Sequence, residues 1–316
     1  MKYFSMFSGI GGFEYGIQRA ILRNRGSRPK HRGSTQGLQS SRPMPTIKKS
    51  PFTCIGYSEI DKYAIKVYER HFGGHKNYGD ATKINPKELP DFDLLVGGFP
   101  CQAFSIAGKR KGFDDTRGTL FFDIARILAE KRPRHLVLEN VKGLLSHDGG
   151  KTFQTILGVL SDLGYGVEWQ ILNSKDFGVP QNRERIIIVG HLGEQCGRKV
   201  FPIGVDTGEI VKPIKRKRIT TGRTRNFGSS GQLHAPDEVC STLTTSMGTG
   251  GNNVPNILNS RIRRLTPKEC ERLQGFPDDW TKYGINDEPI SDTQRYKMCG
   301  NAVTTNVITA VMEKLL

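Results

Sequence analysis

Tyr3-Phe-Ser-Met-Phe-Ser-Gly-Ile-Gly-Gly-Phe13 joins a short apolar run to a cluster of glycines and then to Phe13, Ile17, Ala20 and Ile21, which recur at helical spacing. The stretch reads as strand, tight turn and helix. Glycines at such a turn let the backbone bend sharply and approach a ligand. A dinucleotide fingerprint would place a further glycine at position 14, where the chain has Glu14, and this argues against a pyrophosphate over the helix end. Taken alone, the stretch is equally a plain strand-to-helix turn.

Outward from it the same alternation continues to Leu192. Strands are expected at Tyr3 to Phe7, Thr53 to Tyr57, Phe92 to Val96, His135 to Leu138, Gly166 to Leu172 and Arg185 to Val189. Helical stripes lie between them, Leu120, Phe121, Ile124, Ile127 and Leu128 in one and Phe153, Ile156, Leu157 and Leu160 in another. Alternating strands and helices predict an α/β fold with a parallel sheet covered by crossover helices. After Gly190 the pattern gives way to Gly, Thr, Ser, Asn and basic residues, so a second, smaller and irregular domain is expected over 191–263. Thr266, Pro267 and Glu269 form an N-cap, a first-turn proline and a capping-box acid for a helix through Leu273, and Val303 to Leu316 is apolar enough to dock on the first domain. The expected division is therefore 1–190, 191–263 and a return of 264–316 to the first domain.

The net charge of +16 and pI near 9.7 favour a polyanionic partner, because Lys and Arg contacts to phosphate release counterions. Much of the excess sits in two acid-free runs, Arg23 to Pro51 and Lys212 to Arg225. The first, with its prolines, glycines and serines, reads as a basic insertion at 23–51, a tolerated surface loop rather than a dedicated DNA arm. The cysteines at 54, 101, 196, 240, 270 and 299 are scattered without metal-ligand spacing, so free thiols and no metal are expected. No apolar run is long enough to cross a bilayer and Met1 to Phe7 enters a strand directly, which predicts a cytoplasmic protein without a membrane partner.

The most informative stretch is Gly97-Gly-Phe-Pro-Cys-Gln-Ala-Phe-Ser-Ile-Ala-Gly-Lys-Arg-Lys-Gly-Phe113, followed by Arg117-Gly118-Thr119. A cysteine after Pro100 at the end of a buried strand, ahead of a glycine- and lysine-rich loop, suits a reactive thiolate beside a mobile basic lid. Glu59 and Asp80 stand near the ends of neighbouring segments, where carboxylates can meet ribose hydroxyls or an adenine amino group.

This loop, with Glu139-Asn140-Val141, Gln181-Asn-Arg183-Glu-Arg185, Arg264 to Trp280 and Gly300-Asn301-Ala302-Val303, resembles the motif set of bacterial and phage DNA cytosine-5 methyltransferases of restriction-modification systems. The resemblance covers nearly the whole chain outside the basic insertion and the variable region. It implies a Rossmann-like S-adenosylmethionine-dependent methyltransferase sheet with a smaller target-recognition domain. The reaction implied is methyl transfer from S-adenosylmethionine, leaving S-adenosylhomocysteine, to carbon 5 of a cytosine flipped out of a specific short duplex sequence.

Carbon 5 is a poor nucleophile, and adding a thiolate at carbon 6 turns it into an enamine carbon. The resemblance gives Cys101 that role, Glu139 the role of acid at N3, and Arg185 a place beside the cytosine and cysteine. Arg183 is assigned to a DNA phosphate, the two arginines being expected on opposite faces. By the same matching the cofactor would be held by Phe7, Gly9, Gly11, Glu59, Ile60, Asp80, Pro100, Leu120, Asn301 and Ala302, with Ile60 standing where some relatives carry a tryptophan that stacks on adenine. DNA contacts are implied for Gln102, Ser105, Lys109, Arg117, Gln181, Thr242 and Thr244, the last two within a Thr-Leu element at Ser241 to Ser246.

Double-stranded DNA is the expected partner of a monomer, with a cognate restriction endonuclease as a functional rather than physical partner. The alternatives are a tRNA cytosine-5 methyltransferase of the same superfamily and a catalytically silent DNA-binding relative. A silent relative would lack Cys101, Glu139 or Arg185, and all three are present.

Overall fold

The computed structural model describes residues 1–24, 52–100, 120–193, 199–204, 233–234, 238–248, 254–258 and 262–315. The basic insertion beyond Asn24, the loop from Cys101 to Thr119 and the basic run at Lys212 to Arg225 lie outside the described residues.

Six strands form the central sheet: β1 (Lys2–Met6), β2 (Thr53–Ser58), β3 (Leu94–Gly98), β4 (His135–Val141), β5 (Tyr165–Asn173) and β6 (Glu184–Leu192), in the order β2-β1-β3-β4-β6-β5. The first four are mutually parallel, but β6 pairs antiparallel with both β4 and β5, which corrects the expectation of a wholly parallel sheet. The physical reason is the short connection from Ser174 to Arg183, which contains only a 3-10 turn (Ser174–Phe177) and can join antiparallel neighbours but not span a crossover. The reversal carries the start of β6 to the sheet edge at which β3 and β4 end.

Strand alternation sends successive side chains to opposite layers. Phe4, Met6, Leu95, Leu136, Leu138, Ile186 and Ile188 pack with Phe121, Ile124 and Leu128 of α3 (Leu120–Lys131) and Phe153, Ile156 and Leu160 of α4 (Lys151–Asp162). Tyr3, Leu94, Val96, Val137, Ile187 and Val189 face the other layer, with Phe13, Ile17, Ala20 and Ile21 of α1 (Gly12–Asn24) and Val307, Ile308, Val311 and Met312 of α7 (Thr305–Leu315). The carboxy-terminal helix thus docks where its apolar stripe predicts. Val200, Phe201 and Ile203 join this second core, tied to β5 by Glu168 and Gln170, whose side chains accept from the Val200, Phe201 and Ile203 amides.

A third cluster packs α2 (Lys62–Phe72) against Phe276, Trp280, Ile290 and Met298. The expected capping box opens α5 (Pro267–Leu273): the Thr266 hydroxyl accepts from the Glu269 amide while Glu269 accepts from the Thr266 amide. A small three-stranded sheet, β7 (Leu233–His234), β8 (Asn256–Leu258) and β9 (Ile262–Arg264), lies in the region that departs from α/β alternation. Cys240, Leu243 and Met247 from that region pack on α5 and on Cys299 of α6 (Asp292–Asn301). Among the described residues, no helix is long and apolar enough to cross a membrane.

Candidate active site

The carboxyl ends of β1, β2, β3 and β4 surround a cavity of about 460 Å³, within the size range of small-molecule sites. Its wall includes Phe7, Gly9, Glu59, Ile60, Asp80, Pro100, Leu120 and Asn301, eight of the ten residues expected at a cofactor. Ala302 lines a smaller cavity of about 30 Å³ that shares Phe7, Gly9, Glu139 and Asn301 with the first. Gly11 lines neither; its φ of +84° turns the chain, and any Cβ there would run into the Phe72 ring.

Glu59 organises the turn at the cavity floor. One carboxylate oxygen accepts from the Gly9 amide at 2.8 Å, and the other accepts from the Ile60 and Asp61 amides, each at 2.8 Å. A carboxylate has roughly four lone-pair positions, so about one remains for a hydroxyl. Asp80 caps the 3-10 turn at Ala81–Lys83, and the hydrogen bonds it accepts from the Thr82 hydroxyl and amide hold its carboxyl below the usual range. Ile60 is 73% exposed at the cavity wall, an apolar surface that joins no core cluster among the described residues. Two acids, an apolar platform and a glycine turn fit a nucleoside-bearing cofactor.

The chemistry expected of the site lies along the same wall. Glu139, near the end of β4, forms an ion pair with Arg185 of β6, Nε to Oε1 3.0 Å, and the two side chains are 11% and 17% exposed. Arg185 also donates to the Glu184 carbonyl at 2.8 Å. Asn140 was not singled out for any role by sequence, yet it is buried and its amide donates to the Phe99 carbonyl at 3.0 Å. It thereby fixes the end of β3 two residues before Cys101. Its only signal was its place between Glu139 and Val141. Cys101, Gln102, Ser105, Lys109 and Arg117 lie outside the described residues.

Two expected DNA contacts are corrected. Arg183 and Arg185 were placed on opposite faces, but positions two apart in an extended chain return to the same side, and both line the cavity. Arg183 is buried, with its guanidinium on the carbonyls of Leu243 (2.9 Å), Gly300 (3.2 Å) and Ala302 (2.9 Å), so it cannot reach a phosphate. Burial, reinforced by the Arg185 cation, draws its pKa down to about 9, which leaves it protonated at neutral pH. Gln181 is likewise interior, donating to the Leu273 carbonyl at 2.8 Å and accepting from the Leu243 amide at 2.9 Å. The Thr242 hydroxyl donates to the Asn182 carbonyl at 2.6 Å, and Thr244 is exposed.

A family model for C-5 cytosine-specific DNA methylase matches residues 1–224 and 199–316. The chain belongs to this family. The methylase is 44% identical to the type II methyltransferase M1.ScrFI of Lactococcus lactis subsp. cremoris, over 82% of this chain and 71% of that protein. It is 35% identical to the type II methyltransferase M.HhaI of Haemophilus parahaemolyticus, over 98% and 92% of the two chains. In fold it is similar to the crystal structure of the S. pombe Dnmt2 methyltransferase, with a TM-score of 0.69 and 19% identity over 100% of this chain and 98% of that one. It is therefore a DNA cytosine-5 methyltransferase, with a mostly parallel α/β sheet as its catalytic frame.

Proposed function

We propose that the methylase modifies cytosine within one short duplex sequence, through a covalent adduct between Cys101 and carbon 6, and that it protects DNA from a cognate restriction endonuclease. The observation that carries this reading is the Glu139–Arg185 ion pair on the cavity wall that also includes Pro100, the residue before Cys101. S-adenosylmethionine, the methyl donor of this family, supplies an electrophilic methyl when bound. The residues that would hold it are Glu59 and Asp80 through their carboxylates, Ile60 as an apolar platform, and Phe7, Gly9 and Asn301 as walls, all of which line the cavity.

The Cys101 thiolate adds to carbon 6 of the cytosine, and the electron pair displaced from the ring makes carbon 5 nucleophilic. Glu139 protonates or hydrogen-bonds N3 as charge builds there, and Arg185 keeps the Glu139 carboxyl aimed and compensated. Once carbon 5 carries the methyl, loss of its proton and of the Cys101 sulfur restores the ring. The thiolate cannot reach carbon 6 inside the stack, so the base is flipped out. Residues 191–263 serve as the target-recognition region, with Thr242 and Thr244 at the duplex and the basic run at Lys212 to Arg225 meeting phosphates without reading sequence. The proposal extends to a monomer acting in the cytoplasm.

The test is bisulfite sequencing of mixed-sequence duplex DNA after incubation with the protein and S-adenosylmethionine, with tRNA as a parallel acceptor. Protection of cytosines in one fixed context is expected, and Cys101→Ser should abolish it while leaving DNA binding in place. Bisulfite conversion of every DNA cytosine after incubation with the wild-type protein, or turnover by the serine variant, overturns the reading.

A further inference from the structure

The segment from Cys240 to Gly248 and the cavity wall at Gly300 to Ala302 are far apart in sequence, and three independent contacts fasten them. From beneath, one guanidinium, that of Arg183, donates to Leu243 on one side and to Gly300 and Ala302 on the other. From outside, the Thr245 hydroxyl donates to the side-chain oxygen of Asn301, and Asn301 lines the cavity. Between these, the backbones touch: a Cβ at Gly300 would lie 2.6 Å from the Thr245 nitrogen, and one at Gly248 would lie 2.6 Å from the Lys297 Cβ. Lys297 in turn reaches Asp61 at 2.6 Å, and Asp61 follows directly on the Glu59-Ile60 wall.

Arg183 is unusual in this arrangement. It is 3% exposed, and among the described residues its guanidinium has backbone carbonyls as its only hydrogen-bond partners and its Nε has none. A buried arginine held this way is expensive to keep as mere filling, since an apolar side chain would avoid its desolvation. What an apolar side chain cannot do is bind three carbonyls from two chain segments in one plane.

We propose that Arg183 is a positioning residue which, together with the Thr245–Asn301 contact, links the DNA-facing segment 240–248 to the cofactor cavity, so that each ligand tightens the other. The inference rests on the reading that the cavity takes S-adenosylmethionine and that this segment meets DNA. It assigns Arg183 to coupling, where the sequence assigned it to phosphate. A duplex seated on Thr242 and Thr244 presses on the segment that Leu243 anchors, and the shift is carried through Arg183 and Asn301 into the cavity wall. Because coupling is reciprocal for equilibrium binding, the factor must be the same in both directions.

The experiment measures the dissociation constant of S-adenosylhomocysteine without DNA and with saturating duplex, and that of the duplex without and with saturating S-adenosylhomocysteine. For the wild-type protein both factors are expected at about tenfold. Arg183→Lys, whose ammonium cannot span the three carbonyls, should bring the factor close to one. It should raise the KM for cofactor more than it lowers kcat. Thr245→Val, an exposed substitution that leaves no cavity, should reduce the same factor without lowering Tm, and it decides the matter alone if Arg183→Lys does not fold. A merely structural Arg183 would lower Tm and leave the factor intact. A wild-type factor of one, or a wild-type factor retained in Thr245→Val and in folded Arg183→Lys, overturns the proposal. A wild-type protein that binds no S-adenosylhomocysteine overturns the cavity reading itself, and this inference with it.

Discussion

Glu139 and Arg185 are diagonal neighbours across antiparallel strands: Glu139 stands opposite Ile187, Arg185 stands opposite Val141, and Arg185 Nε lies 3.0 Å from Glu139 Oε1. Diagonal positions on one face of such a pair are within reach of long side chains. The acid and its cation are thus set by strand register, not by a loop.

Removing one partner of this little-exposed pair leaves an uncompensated charge. Arg185→Met is expected to cost about 3 kcal/mol in chemical denaturation, and the double variant with Glu139→Gln should recover most of that loss. Glu139→Gln alone should lower the rate of methyl transfer by about 10²- to 10⁴-fold in single-turnover assays, with S-adenosylhomocysteine affinity unchanged. Equal activity in Glu139→Gln and wild type would remove Glu139 from the chemistry.

Glu14 of α1 is wholly buried, with Tyr68 donating to one oxygen at 3.2 Å and the other oxygen unpartnered among the described residues. Burial lifts its pKa from 4.5 to about 7. The unfolded chain therefore releases this proton first, so stability falls as pH rises from about 4.5 to about 7 and is flat above that, a loss of about 3 kcal/mol. Thermal melts of wild type and Glu14→Gln at pH 5 and pH 8 isolate the effect: the variant should lack this part of the slope, and parallel curves would show that Glu14 does not titrate there.

Gly11→Ala adds a methyl group against the Phe72 ring at a backbone φ of +84°. Left-handed backbone costs roughly 1–2 kcal/mol and overpacking about 1–3 kcal/mol, so a stability loss of about 2–5 kcal/mol is expected by denaturant titration. A loss below 1 kcal/mol would mean that Phe72 moves aside freely.

Ile60→Ala should weaken S-adenosylhomocysteine severalfold in calorimetry and leave Tm unchanged, because the side chain is 73% exposed and supports nothing else. Ile60→Trp should tighten binding by up to about tenfold through stacking on the base. Indifference to both substitutions would place the adenine elsewhere in the cavity.

Each expected strand was legible because apolar runs such as Phe4 to Phe7 and Ile186 to Val189 are bounded by turn residues, and the Thr266-Pro267-Glu269 cap was legible because its chemistry is wholly local. The direction of β6 was not, since an apolar run carries no sign of its pairing partner. Glu139 and Arg185 could be placed from the resemblance, whereas Arg183 and Gln181 were misplaced for a common reason. Polar side chains at a strand entrance look solvent-bound in sequence, and only the fold brings Leu243, Leu273 and Gly300 close enough to take them inside.

The packing of α6 and α7 against elements made earlier sets a timetable for synthesis. The ribosome delivers all six strands of the sheet well before it delivers α6 and α7. Until then Val96, Val137 and Ile187 have no α7 to cover them, an apolar surface of the kind that chaperones hold. The nascent protein already carries its acid and its arginine by that stage, but the pocket gains the wall at Asn301 only once α6 has emerged. A chain whose synthesis halts before α6 therefore holds the Glu139–Arg185 pair in a pocket that lacks its Asn301 wall.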